Sequence, residues 1–274
     1  MDERLKHGNP EIIQPQNVDV FLLCGGKGTR LKVSEEDQLR RLPKPLVSID
    51  TPRGSIRMID NAILGLTESG FGQLTILVGR DPETQGSEIE DYVVSTHGGL
   101  NPSFSREDTP LGTAGAAYVA FVFSRRDNAI ITPIDTLFPF DRLCIAIEAF
   151  SKNDTSIMWI VTSNPGENAQ NSGKVIVNSE YIIRNDEGKP DMTPIREGEL
   201  ATTSTGIIVV SKIFYLERYK DFVGENRTNG TVDLYRNFLP WLLKRGEKIS
   251  FFDVGVPTPD LGTPDRLRRF GRKN

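Results

Sequence analysis

The sequence has few of the residues that build metal clusters, disulfide frameworks or membrane spans. Among 274 residues there are two cysteines, Cys24 and Cys144, and two histidines, His7 and His97. Two cysteines make no disulfide framework, and the four residues together show no zinc-ligand spacing. No apolar run is long enough to cross a bilayer. The polar stretch 1–17, with Pro10 and Pro15, lacks the apolar centre of a secretory signal. The expected setting is therefore a reducing cytoplasm, with no membrane partner. Asn153-Asp154-Thr155 and Asn226-Arg227-Thr228 match the glycosylation pattern, but without a secretory signal they are read as chance. The chain is not basic either: its formal net charge is -4, which argues against a nucleic-acid partner.

What is present is the composition of a folded protein, 37% hydrophobic and 26% charged. The length fits one large α/β domain, expected over residues 18–270 after an extension at 1–17. Strands are predicted at Val18–Cys24, Leu74–Gly79 and Ala129–Thr132. Between and after them, Ile59, Ala62, Ile63 and Leu66 take helical spacing, as do Leu143, Ala146, Ile147 and Phe150, with Asp141 as the expected N-cap. Thr113–Phe123 is alanine-rich and reads as another helix. This alternation argues for a parallel or mostly parallel sheet with helices on both faces. The second half is richer in strands: Ser156–Val161, Lys174–Val177, Tyr181–Arg184, Gly206–Val210 and Ile249–Val254. Helices are expected at Ser211–Tyr219, Thr231–Lys244 and Pro264–Phe270.

The densest signal is Gly25-Gly26-Lys27-Gly28-Thr29-Arg30, directly after the first apolar strand. A glycine-rich turn there lets backbone N–H groups approach a phosphate chain with no Cβ in the way. The turn is not a Walker A motif, because Gly28 follows Lys27 where Ser or Thr is needed. It is not the dinucleotide fingerprint either, because the third glycine is missing. Pro43-Lys44-Pro45-Leu46 follows, so Arg30 and Lys44 add positive charge near the same place.

Together, Leu23-Cys24-Gly25-Gly26-Lys27-Gly28-Thr29-Arg30-Leu31 and Leu42-Pro43-Lys44-Pro45-Leu46 resemble the N-terminal signature of the sugar nucleotidyltransferases, also called nucleoside-diphosphate-sugar pyrophosphorylases. The resemblance runs along nearly the whole chain. It implies a Rossmann-like three-layer αβα sandwich, with a mostly parallel mixed sheet and a strand-rich, acceptor-binding second half. Pro110-Leu111-Gly112-Thr113-Ala114-Gly115-Ala116 resembles the family's nucleobase loop and looks most like that of guanylyltransferases acting on mannose 1-phosphate or heptose 1-phosphate. Glu107 precedes it, where the family often places a base-reading side chain. A carboxylate there would accept from guanine N1–H and N2–H₂; the alternative is a solvated loop charge. The nucleotide-binding set implied is Leu23, Gly25, Gly26, Gly28, Thr29, Arg30, Glu107, Gly112, Thr113 and Gly115.

Asp135 stands where the family holds Mg²⁺, although Ile134 replaces the usual glycine before it. Its implied partner is Asp260, in Asp260-Leu261-Gly262-Thr263-Pro264, with Asp253 as a competing candidate. On the acceptor side the resemblance points to Lys44, Gly173, Glu197 and Gly206. Here the chain departs from the pattern: Arg196-Glu197-Gly198 replaces Glu-Lys-Pro, and Thr205-Gly206-Ile207 alters a polar position. Between Arg30 and Lys44 the spacing is longer than usual, with charged residues Ser34–Gln38 read as a surface insertion or a lid.

The implied reaction joins a nucleoside triphosphate, GTP favoured, to a sugar 1-phosphate or phosphorylated polyol, releasing pyrophosphate, with Mg²⁺ as cofactor and Arg30, Lys44, Asp135 and Asp260 as the catalytic set. Positioning and fixed charge carry such a reaction, consistent with the lack of an obvious catalytic histidine. Two other classes are weighed. A nucleotide-sugar sensor need not keep all four of these residues. A nucleotide-sugar-dependent glycosyltransferase uses an Asp-Xaa-Asp motif, which Asp135-Thr136-Leu137 does not supply. Nothing in the sequence excludes a homo-oligomer.

Overall fold

In the first strand, Val20 and Leu22 are buried on one side and Phe21 on the other, which is the period of two expected of a strand covered on both faces. A computed structural model describes residues 12–32, 41–51, 53–166, 174–186, 194–226 and 230–271. Its strands are β1 (Asp19–Leu23), β2 (Ser48–Thr51), β3 (Gly54–Arg57), β4 (Gln73–Gly79), β5 (Ser103–Glu107), β6 (Asn128–Pro133), β7 (Ile157–Thr162), β8 (Lys174–Val177), β9 (Ile182–Asn185), β10 (Leu200–Ser211) and β11 (Ser250–Asp253). β2 and β3 form a separate antiparallel hairpin, while the rest build one sheet in the order β11-β7-β10-β6-β1-β4-β5. β8 adds to the far half of β10, and β9 to β8. Within the sheet β1 runs parallel to β4 and β6, β4 to β5, and β7 to β11, while β10 is antiparallel to β6 and β7. This is the mostly parallel mixed α/β sheet that the alternation of elements predicts.

One face is covered by the helices Met58–Glu68, Gly86–His97 and Asp141–Ser151, and the other by Gly112–Phe123, Lys212–Asn226 and the segment from Leu234 to Lys244. Residues 12–17 are tied to the body: Ile13 N–H donates to Ser151 Oγ at 2.9 Å. Two expectations need correcting. Asp141 is the first residue of its helix and Phe140 the N-cap, without a side-chain cap bond. The helix expected over Thr231–Lys244 is instead a π-helical turn, Leu234–Phe238, followed by a short α-helix, Leu239–Lys244. Pro240 lacks an N–H to donate and crowds the preceding turn, which accounts for the wider winding there. Asp233 caps the turn by accepting from Tyr235 N and Arg236 N.

Helix-to-helix packing is tight at Gly65. A Cβ there would lie 2.2 Å from Phe140 Cδ2, and Phe140 is itself 7% exposed. Gly65→Ala should therefore lower stability despite alanine's better helix propensity. The overpacking cost of about 1–3 kcal/mol exceeds the propensity gain of roughly 0.5–1 kcal/mol. A melting temperature lower by about 2–8 °C is the expected reading, and an unchanged or higher one would refute it.

Candidate active site

Parallel pairing aligns the carboxyl ends of β1, β4, β5 and β6 along one edge of the sheet: Leu23 faces Leu77 and Pro133, and Gly79 faces Glu107. Ligands bind at such an edge because the loops leaving it diverge. The glycine turn leaves β1 there. Cys24 N–H still donates to Leu77 O at 2.9 Å, so the turn starts from a fixed point. A Cβ on Gly25 would lie 3.1 Å from Gly79 N, so glycine is what lets the chain pass β4 this closely. Gly26 is exposed with open space around it, Gly28 has φ +62°, and Thr29 opens a short helix, Thr29–Lys32. Arg30 belongs to that helix, but its side chain lies outside the described residues, as do Ser34–Gln38 and Gly173. Lys27, half exposed, points away to Glu83 at 2.6 Å and Asp81 at 3.5 Å.

Lys44 starts a 3-10 turn, Lys44–Leu46, in which Pro45 and Leu46 are buried and anchor it. Its Nζ pairs with Asp135 Oδ2; both side chains are largely buried. The acid reaches this point because β6 ends at Pro133 and the chain then pairs briefly with the C-terminal segment. Thr136 and Asp260 form an antiparallel bridge, Leu261 N–H donates to Asp135 O at 2.8 Å, and Leu137 N–H donates to Pro259 O at 2.9 Å. The backbone itself thus sets the two aspartates side by side. Gly262 lies between them: a Cβ there would sit 2.7 Å from Asp135 Oδ2, 2.8 Å from Asp260 Oδ1 and 3.4 Å from Lys44 Nζ. Asp260 Oδ1 accepts from Gly262 N–H at 2.6 Å, and Oδ2 pairs with Arg266. Buried Cys24 lies close enough to feel both Lys44 and Asp135; burial pushes its thiol far up, so it stays neutral. Asp253 does not join this group. It is exposed, and its Oδ1 accepts from Ser163 N and Gly255 N, each at 2.9 Å.

Two hard oxygen carboxylates converging on one point fit a divalent cation that takes its remaining ligands from phosphate. Among the described residues no cluster of three or more His, Cys, Asp or Glu side chains could hold an ion alone.

Glu107 ends β5. Its Oε1 accepts from Leu111 N–H at 3.2 Å, and Oε2 faces Gly25 at 3.6 Å from where a Cβ would be. Burial pushes its carboxyl up to about 7, against the lowering effect of the Leu111 bond. It is therefore not a freely solvated loop charge. Gly112, Thr113 and Gly115 are taken up by packing. Gly112 has φ +77°, and a Cβ there would meet Val232 O at 2.5 Å; Thr113 Oγ1 accepts from Leu234 N–H; and Gly115 lies under the Tyr219 hydroxyl. On the acceptor side, β10 carries an irregularity between Ser204 and Ile207, which places Gly206, φ +75°, against Pro133 at the same sheet edge. Tyr235 donates its hydroxyl to Gly206 O, and Trp159 Nε1 donates to Ser204 Oγ at 3.0 Å. Glu197 sits in an exposed turn. Sequence reasoning quoted Gly262 only as part of a motif, read Tyr219 and Tyr235 only as helix residues and passed over Arg266; the contacts of the two tyrosines have no local signal.

No helix among the described residues is long and apolar enough to cross a membrane. The nucleotidyl transferase family profile matches residues 20–268. A mannose-1-phosphate guanyltransferase of Kluyveromyces lactis is 28% identical over 84% of this chain and 69% of its own length. A D-glycero-alpha-D-manno-heptose 1-phosphate guanylyltransferase of Aneurinibacillus thermoaerophilus is 32% identical over 45% of this chain, and the match spans 49% of that relative. Among solved structures, HddC from Yersinia pseudotuberculosis complexed with GMP-PN has a TM-score of 0.70 at 21% identity, covering 93% of this chain and 99% of that one. The inositol-1-phosphate CTP transferase from T. maritima has a TM-score of 0.68 at 19% identity, covering 93% of each. With the family profile running from the first strand into the last helix, the chain belongs to the nucleotidyl transferase family.

Proposed function

We propose that this chain transfers a nucleoside monophosphate from a nucleoside triphosphate, GTP by preference, to a sugar 1-phosphate or phosphorylated polyol, releasing pyrophosphate. The observation that carries this reading is the meeting of Lys44, Asp135 and Asp260 around Gly262, at the sheet edge where the Gly25–Gly28 turn leaves β1. The two guanylyltransferase relatives support the sugar phosphate and GTP, and the T. maritima inositol-1-phosphate CTP transferase keeps a polyol phosphate open.

The chemistry follows from repulsion between two anions. The acceptor phosphate oxygen must reach the α-phosphorus in line while the bond to pyrophosphate breaks. Backbone N–H groups of the turn, with Arg30, hold the triphosphate and receive the charge that grows on the leaving pyrophosphate. Lys44, fixed by its buried neighbours, neutralises charge between the α-phosphate and the acceptor. A divalent cation, Mg²⁺ by this reading, would be held by Asp135 and Asp260 and would screen the phosphate oxygens. The acceptor is already a phosphate anion at neutral pH, so no side chain has to deprotonate it. Gly206 and Lys174 lie on the strands that would flank the acceptor.

The test is a matrix of nucleoside triphosphates against sugar 1-phosphates and inositol 1-phosphate with Mg²⁺, read by pyrophosphate release. Release with at least one acceptor and none without it supports the reading; sugar transfer from a nucleotide sugar without pyrophosphate chemistry would reverse it.

Glu107 gives a sharper outcome for the base. Ionised, it accepts from guanine donors; protonated, it loses that pattern. With its carboxyl raised to about 7, the ionised form gains population as pH rises from 6 to 8. The kcat/KM ratio of GTP over CTP should therefore climb across that range. Taking the ratio cancels titration of the triphosphate common to both. Glu107→Gln should flatten the climb, and a ratio already flat in the wild type would remove Glu107 from base reading.

A further inference from the structure

We infer that Arg266 is a positioning residue that holds Asp260 in its metal-facing orientation; the inference rests on the metal role proposed for Asp260. Arg266 lies in the first turn of the helix Pro264–Gly271. That helix is fixed independently of the site, because Leu267 and Phe270 pack against the core. The Arg266 side chain is only 12% exposed, whereas Asp260 is 35% exposed. The more buried cation therefore anchors the more accessible carboxylate. Asp260 is gripped at both oxygens, Oδ1 by Gly262 N–H and Oδ2 by Arg266. Each oxygen keeps a further lone pair for another partner, while the rotation of the carboxylate is fixed.

Across Gly262 a second cation, Lys44, pairs with Asp135. Each carboxylate thus has its own cation, Lys44 beside Asp135 Oδ2 on the Gly262 side and Arg266 on Asp260 Oδ2, so their charges are balanced before any ligand arrives. Backbone pairing sets the main chain of both residues, through the bridge between Thr136 and Asp260 and the Leu261 N–H bond to Asp135 O, but the more exposed Asp260 carboxylate is not held by that pairing. It needs a rigid outside partner to keep one rotamer. Mg²⁺ tolerates little deviation from octahedral geometry, so a fixed carboxylate favours its capture. Loss of an outer partner of this kind costs about tenfold to a hundredfold in metal affinity.

Two effects oppose each other on removing Arg266. Its charge alone would repel a divalent ion, so losing it would tighten metal binding; its grip on Asp260 aids binding, so losing it would weaken it. The sign of the change separates the two. Arg266→Ala, Arg266→Lys, Asp260→Asn and the Arg266→Ala/Asp260→Asn pair would be compared in the full chain. Mn²⁺ binding by calorimetry, without substrates, is read beside the Mg²⁺ concentration for half-maximal pyrophosphate release. Expected is Mn²⁺ affinity at least about tenfold weaker in Arg266→Ala, partial recovery in Arg266→Lys, and no further loss when Arg266→Ala is added to Asp260→Asn. Unchanged or tighter Mn²⁺ binding in a variant that melts cooperatively overturns the inference, as does additive loss in the pair. If the wild type releases no pyrophosphate with any substrate pair yet Mn²⁺ binding follows this pattern, the proposed reaction fails and the role of Arg266 stands.

Discussion

Gly262→Ala should cut kcat/KM for pyrophosphate release by about a hundredfold or more while leaving the fold nearly as stable. The added methyl would meet Asp135 Oδ2 at 2.7 Å, Asp260 Oδ1 at 2.8 Å and Lys44 Nζ at 3.4 Å. These are the ends of side chains, so the protein can relieve the clash by swinging them aside. The backbone need not move, and Gly262 is not among the glycines with positive φ. The cost therefore falls on the geometry of the site and not on folding. Gly112→Ala offers the contrast. Its methyl would meet the Val232 backbone at 2.5–2.7 Å, and its φ is +77°. That substitution should lower the melting temperature, because a backbone segment has to move. A Gly262→Ala enzyme within threefold of wild-type activity would show that the two carboxylates need not meet.

The second large effect is expected at Asp135. Asp135→Asn keeps the volume and removes the charge, and turnover should fall by about a thousandfold. The loss should appear in kcat at saturating triphosphate, because the turn after β1, to which the proposal assigns the phosphates, is left untouched. Lys44 loses its paired carboxylate but keeps Asp260 nearby across Gly262, so its charge is not stranded. Circular dichroism and the melting transition should therefore remain close to wild type. An Asp135→Asn enzyme with more than a tenth of wild-type kcat would place the metal elsewhere.

The sequence made the central sheet legible because its strands are covered on both faces and carry continuous apolar runs, as at 20–23 and 157–161. The edge was harder. Among the described residues β5, Ser103–Glu107, pairs only with β4, and its sole buried residue is Ser105, so no apolar run marked it. Yet this strand delivers Glu107 to the site. The helix Gly86–His97 buries only Gly86, Ile89 and Val93 and is otherwise dominated by polar residues, which hid its period. In the site, glycines and acids were legible through the motif they form. What they touch was not. The Tyr235 hydroxyl on Gly206 depends on segments brought together by the sheet, and the pairing of Asp260 with Arg266, six residues on, depends on how the chain turns into the last helix. Lys44 and Asp135 stand 91 positions apart, and nothing local to either announces the other.

The bridge between Thr136 and Asp260 also sets a schedule for the ribosome. β1, β4, β5 and β6 are all complete by Pro133, so the parallel half of the sheet and its glycine turn can form while the rest of the chain is still being made. The Asp135 and Asp260 carboxylates cannot meet until Gly262 has left the exit tunnel. At about 5–20 residues per second, the nascent chain would spend on the order of 10 s with the glycine turn formed and the two carboxylates still apart. Closing so long a loop costs little more entropy than closing one half its length, about 0.6 kcal/mol. Distance along the chain therefore delays the site without much weakening it.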